Sequence, residues 1–266
     1  MAVSECGTRF ALRRLPVIDR EVYPLGLAPN FGITEDETRA ALDGPMNYVF
    51  WTPRMRNATE PLREALARER DRYVVATGPT TAWWASNLSR FVDRTLSQLH
   101  IDQIDVLQMF WLGVTSRWTP QNIDAMVKLR ESGKVRAIGV SIHDRQKAGE
   151  LAKESPLDLL MVRYNAAHPG AEADIFPHLP LNRRSIIAYT ATRWRKLLRR
   201  PRGWEGAVPT AGDCYRFCLS QPAVDVVLTG PKSAAQLHEN LAAIDSGPLT
   251  TEEMTWMREF GAVVHG

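Results

Sequence analysis

Two β-rich runs with a helix between them decide the fold. The first is Asp105-Val106-Leu107-Gln108-Met109-Phe110-Trp111, and the second is Val135-Arg136-Ala137-Ile138-Gly139-Val140-Ser141. Asn122 to Leu129 carries a helical pattern that stops at Gly133, a residue suited to ending a helix. Both runs are nearly continuous in apolar residues, as expected of parallel strands covered on both faces. Together they spell strand, helix, strand.

The same unit recurs in both directions. Before it lie strand candidates Val22–Ala28, Asn47–Trp51 and Tyr73–Thr77; after it lie Leu159–Tyr164, Ser185–Tyr189 and Val224–Leu228. Helical stretches separate them. Leu88, Phe91, Val92, Thr95, Leu96 and Leu99, for example, keep the 3.6-residue stripe. Eight strands alternating with helices to the end of the chain predict an α/β fold, a (β/α)8 TIM barrel. An open doubly wound sheet is disfavoured, because no glycine-rich phosphate fingerprint follows the first strand. Thr8–Val17 reads as an N-terminal β-hairpin arm capping the barrel bottom. With no repeat, linker or low-complexity segment, residues 1–266 read as one domain. The longest irregular stretch, Thr190–Pro209, follows the seventh strand, on the face where such barrels carry function.

Composition narrows the class. Hydrophobic residues make up 44% and charged residues 24%, enough for an ordinary packed core. No apolar run reaches the roughly 18 residues of a membrane span, and Met1 to Arg13 lacks a signal-like core. Three cysteines, Cys6, Cys214 and Cys218, suggest no disulfide framework, so a cytoplasmic location is the expectation. A net charge of +3 does not call for nucleic acid. The positive charge is concentrated, however, in the acid-free run Arg193–Arg202. That run is either a clamp for phosphates or a solvated loop.

Three segments resemble the aldo-keto reductase family. Gly133-Lys134-Val135-Arg136-Ala137-Ile138-Gly139-Val140-Ser141 is similar to that family's fifth strand and its lead-in. Tyr164-Asn165 with Gly170-Ala171-Glu172 is similar to the sixth strand and its exit. Leu228-Thr229-Gly230-Pro231-Lys232-Ser233, then Gln236 and Glu239-Asn240, is similar to the eighth strand and the adenine-nucleotide helix. The resemblance implies a barrel that binds NADP(H) across its mouth and transfers hydride to or from a carbonyl of a small-molecule substrate.

It also implies four acid–base positions: aspartate, tyrosine, lysine and histidine. In this chain they fall on Phe50, Met55, Gly78 and Phe110. None of these can carry charge or donate a proton. The cofactor half is better kept. Tyr189 matches the residue that stacks on nicotinamide and Ser141 a carboxamide contact, although Ile142 and Met161 replace two amide-bearing partners. Gly230, Lys232, Ser233, Gln236, Glu239 and Asn240 match the adenosine-phosphate site, with Lys232 placed to favour NADP over NAD. The family's glycine-containing pyrophosphate turn becomes Thr190-Ala191-Thr192-Arg193-Trp194-Arg195-Lys196, where cations replace glycine amides.

Other candidates have a plain alternative each. His143 is either a replacement acid or base, or a helix-start histidine capped by Asp144. Arg163, expected inside the barrel, either binds a substrate carboxylate or phosphate or pairs with an acid such as Asp105. Asn165 and His168 follow at the strand exit, where Pro169 and Gly170 suggest a surface turn. Phe50, Trp51, Phe110 and Trp111, with Trp83 and Trp84, form either an aromatic substrate pocket or barrel packing. Alternation turns one member of each Phe-Trp pair away from the lumen; the match to the family's functional positions implies that Phe50 and Phe110 face inward, and Trp51 and Trp111 the helices. Cys214 and Cys218 share a helix face, but no histidine or cysteine pair accompanies them, so no metal site is expected. The leading expectation is an atypical NADP(H)-dependent oxidoreductase. A non-catalytic nucleotide-binding pseudoenzyme and a barrel reused for redox-neutral chemistry stay open, as does the oligomeric state.

Overall fold

The computed structural model describes residues 10, 12–179 and 184–265. Strands β1 (Arg13–Leu15) and β2 (Arg20–Val22) form an antiparallel hairpin. The arm is therefore present but lies later than Thr8–Val17; Thr8, Arg9 and Ala11 fall outside the described residues. Val22 belongs to this hairpin and not to the first barrel strand. Leu15, Ile18 and Val22 pack against the inward residues Val74 and Val106, so the hairpin plugs the barrel bottom with apolar side chains.

Eight parallel strands close the barrel: β3 (Leu25–Leu27), β4 (Tyr48–Phe50), β5 (Val74–Thr77), β6 (Ile104–Leu112), β7 (Val135–Ile142), β8 (Leu159–Arg163), β9 (Ser185–Tyr189) and β10 (Val226–Thr229). β3 pairs with both β4 and β10, which completes the ring. Around it lie α1 (Glu35–Asp43), α2 (Arg56–Glu69), α3 (Ala85–Leu99), α4 (Pro120–Glu131), α5 (Arg145–Lys153), α6 (Ala171–Asp174), α7 (Ala211–Leu219), α8 (Ala234–Asp245) and α9 (Thr251–His265). None of these helices is long and apolar enough to cross a membrane.

Strand alternation divides the core into two shells. Tyr48, Ala76, Val106, Ala137, Leu159, Ile187 and Val226 fill the lumen. Val49, Val75, Leu107, Ile138, Leu160 and Val227 face the helices. Each fully buried aliphatic side chain contributes about 1.5–3 kcal/mol.

Three aspartates close the strand starts. Asp105, Asp158 and Asp225 accept the backbone N–H of Val75, Ile138 and Ile186, each on the preceding strand, at 2.8–2.9 Å. Asp105 is fully buried and also binds Arg70 at 2.8 Å. It is thus committed at the barrel bottom and is not a partner of Arg163, which ends β8 at the opposite face.

Candidate active site

The C-terminal ends of β3, β4, β8, β9 and β10 open into one cavity of about 500 Å³. Its inner end is apolar: Phe50, Met161, Tyr189 and Leu228. Its outer end is polar and follows the start of α8, with Gly230, Lys232, Gln236, Glu239 and Asn240. Thr190, Ala191, Thr192, Trp194 and Arg195 form one wall, and Phe31 the facing one.

Local sequence explains the outer end. Ser233 caps α8 by accepting the N–H of Gln236, whose side chain in turn accepts the N–H of Lys232 at 3.0 Å. This holds Lys232 exposed beside the cavity. The first N–H of α8, that of Ala234, is taken by the carboxylate of Glu37 at 2.9 Å. Glu37 also forms a capping box with Thr34 at the start of α1, and these hydrogen bonds hold its carboxyl below the usual range. Asn240 is buried and donates to the Thr229 hydroxyl at 3.2 Å.

The wall after β9 is strained. Thr190, Arg193, Trp194 and Arg195 all have positive φ, 48° to 68°. Left-handed backbone costs non-glycine residues roughly 1 kcal/mol or more each. Arg195 and Trp194 turn to the cavity. Arg193 turns away, and its guanidinium donates to the carbonyls of Val264 and His265 at the end of α9. The expected cationic clamp is therefore reduced, at the cavity wall, to Arg195. Lys232 stands at the outer end.

At the inner end the floor is closed. The rings of Phe50 and Phe110 meet at 5.3 Å. A Cβ at Gly78 would overlap the Gln108 carbonyl oxygen and lie 3.2 Å from the Phe110 ring. No side chain fits at Gly78 without backbone movement. Met55 stands at the start of α2, buried in the outer shell. Trp51 also lies in the outer shell, against Thr59, and does not line the cavity. Trp111 departs from the expected orientation. A bulge between Met109 and Leu112 breaks the alternation, and Trp111 takes φ of 44° and is 48% exposed beside His143. Trp83 stacks under Arg117 and Trp84 is exposed, so no six-membered aromatic cage forms.

Above the floor, three adjacent strands bring together His143, Arg163 and Tyr189. The Tyr189 hydroxyl lies 2.8 Å from His143 Nε2. Burial pushes the tyrosine up to about 12, with Arg163 and Ser141 opposing. His143 has one edge open to solvent and the other against the Trp111 and Tyr189 rings. That partial burial, then the Arg163 charge, holds it below its ordinary 6.5. Asp144 caps α5, accepting the N–H of Lys147, as the plainer reading of this segment expected. Ser141 is buried beneath Tyr189. Asn165 is fully buried and supports the wall, donating to the Thr190 carbonyl at 2.8 Å. His168 packs on Asn165 and His265. Cys214 and Cys218 are buried thiols, and no group of metal-ligating side chains gathers among the described residues.

Sequence reasoning missed Phe31, Glu37 and the role of Trp194. Phe31 sits edge-on to Trp194 at 6.2 Å, bridging the two cavity walls. The Thr34-x-x-Glu37 pattern was a legible capping signal for α1, but its reach to α8 was not.

A family model for the aldo/keto reductase family matches residues 36–197. The chain belongs to that family. An NADH-specific methylglyoxal reductase of Escherichia coli is 23% identical over 63% of this chain and 62% of that protein. YqkF, an uncharacterized oxidoreductase of Bacillus subtilis, is 22% identical over 91% of this chain and 94% of its own. Among solved structures, a holo aldo-keto reductase of Bacillus halodurans superposes with a TM-score of 0.77 at 22% identity, covering 94% of this chain and 95% of the other. An aldo/keto reductase of Klebsiella pneumoniae in complex with NADP and acetate superposes at 0.73 and 20% identity, covering 94% and 95%.

Proposed function

We propose that the whole chain works as one domain, an NADP(H)-dependent oxidoreductase of small organic molecules. In it the proton is handled by His143 and not by the family's usual positions. The observation that carries this is the 2.8 Å contact between Tyr189 and His143 at the inner end of the cavity. The NADP-bound Klebsiella relative and the NADH-specific Escherichia coli relative support a nicotinamide cofactor. This chain's residues fit one: the cavity runs from the Tyr189 ring to Lys232, Gln236 and Asn240, with Arg195 and Lys232 as cations for phosphate. When bound, the cofactor supplies or accepts hydride.

Tyr189 keeps its proton at neutral pH, and His143 is neutral there. The Tyr189 O–H therefore donates to Nε2, which leaves the second imidazole proton on Nδ1. His143 donates that proton to the developing alkoxide as the tyrosine proton moves onto Nε2, so the imidazole stays neutral. Nε2 then returns its proton to the Tyr189 oxygen as Nδ1 takes one from water, which restores the starting tautomer. Phe50, Phe110 and Met161 keep the floor dry.

The test is NADPH oxidation across a panel of carbonyls and imines. Turnover should fall about a hundredfold or more in His143→Ala; unchanged turnover would remove His143 from this role. The pseudoenzyme reading draws support from the filled floor, where Gly78 admits no side chain. NADPH binding without oxidation of NADPH by any panel member would favour it.

A further inference from the structure

We propose that Arg163 is an anion-recognition residue at the barrel rim beside the Tyr189 end of the cavity, and that the substrate carries one carboxylate next to its reacting group. This rests on the reading that the mouth receives the substrate. Leu159 and Met161 point into the lumen, so Arg163, two residues on, points the same way at the rim. It is level with Tyr189 across the β8–β9 pair. The Arg163 charge acts on both Tyr189 and His143, so the guanidinium stands near the reacting groups.

Arg163 is half-buried, and no acid or hydrogen-bonding partner is found for it among the described residues. Nearby acids are committed elsewhere: Glu172 to Arg258 and Tyr164, and Asp174 to Arg145. The charges that act on His143, His168 and Tyr189 are all cationic, namely Arg163, Arg193, Arg145 and His265. A partly desolvated guanidinium without a counter-charge is costly, and a bound carboxylate offsets that cost through a two-point contact. A single guanidinium with free donors matches the two oxygens of one carboxylate. Arg145 is ion-paired with Asp174 and Arg193 is hydrogen-bonded to the α9 carbonyls, which leaves Arg163 as the guanidinium of this group with its donors free among the described residues.

The experiment is calorimetric titration of the intact protein, with and without NADP, using three probes. These are 2-oxo acids of increasing size from pyruvate to phenylpyruvate, the matching neutral ketones, and inorganic phosphate. The 2-oxo acids should bind at least about tenfold more tightly than the neutral ketones. Arg163→Gln should abolish that margin and Arg163→Lys should restore part of it. Arg163→Met should also raise the melting temperature, since an uncompensated cation is removed; an arginine with only a structural role would lower it. Equal binding of acids and neutral ketones, or a margin that survives Arg163→Gln, would overturn the proposal. Tighter binding of inorganic phosphate would overturn the carboxylate assignment. None of these readouts needs turnover, so a failure to oxidise NADPH leaves them intact.

Discussion

At its outer end the cavity is built from short polar residues, a capped helix start and two cations; at its inner end it rests on two phenylalanine rings and a glycine against backbone. Both ends sit on the same eight strands, so the scaffold does not distinguish them. The outer end depends on loop and helix-start residues, which tolerate exchange as long as hydrogen bonds are kept. The inner end depends on strand-end side chains that must interdigitate in the lumen. Once Phe50 and Phe110 meet there, a charged group has neither space nor a partner. Family resemblance can therefore persist at one end while the side chains at the other change.

Substitution at the floor should have the largest effect. Gly78→Ala drives a methyl into the Gln108 carbonyl and should destabilise by about 3 kcal/mol, read by urea unfolding. An unchanged midpoint would mean that the floor is looser than described. At the outer end the effects are on affinity. Lys232→Ala should weaken NADPH about tenfold and leave NADH nearly unchanged. Equal losses for both would remove Lys232 from the 2′-phosphate.

A titration separates the mouth from both ends. Burial, then Arg163, Arg193, His265 and Arg145, brings His168 down to about 4 from 6.5. Its folded pKa is below its unfolded one, so its contribution is full above pH 6.5 and is lost as pH falls toward 4. Melting temperature should fall over that window, and His168→Gln should flatten the fall. The smallest effect belongs to Glu37→Gln, which keeps the α1 cap but removes a negative charge from the start of α8. NADPH affinity should rise by roughly twofold, about 0.5 kcal/mol.

Much of the fold was legible because buried parallel strands are apolar throughout. Ser185–Tyr189 was read with its observed ends, and alternation together with the family match correctly aimed Phe50, Phe110 and Trp51. Errors came where local pattern is ambiguous or tertiary context wins. Val22 is apolar in either a hairpin or a barrel strand. The last strand was placed two residues early at its start, because Val224 is as apolar as Val226. Trp111 was misdirected by a bulge that leaves no mark in composition. Arg193 looked like a phosphate ligand, but its long side chain reaches α9, some seventy positions away in sequence. The Tyr189–His143 contact joins two strands 46 positions apart, so neither residue could reveal it alone.

The central claim is that the cofactor end works although the inner end is closed to the usual groups. The most direct test is NADPH titration of the wild-type protein by tryptophan fluorescence, with Trp194 on the cavity wall as reporter. Saturable quenching at micromolar NADPH, lost in Trp194→Phe, is the expected result. No response up to millimolar NADPH would contradict the account.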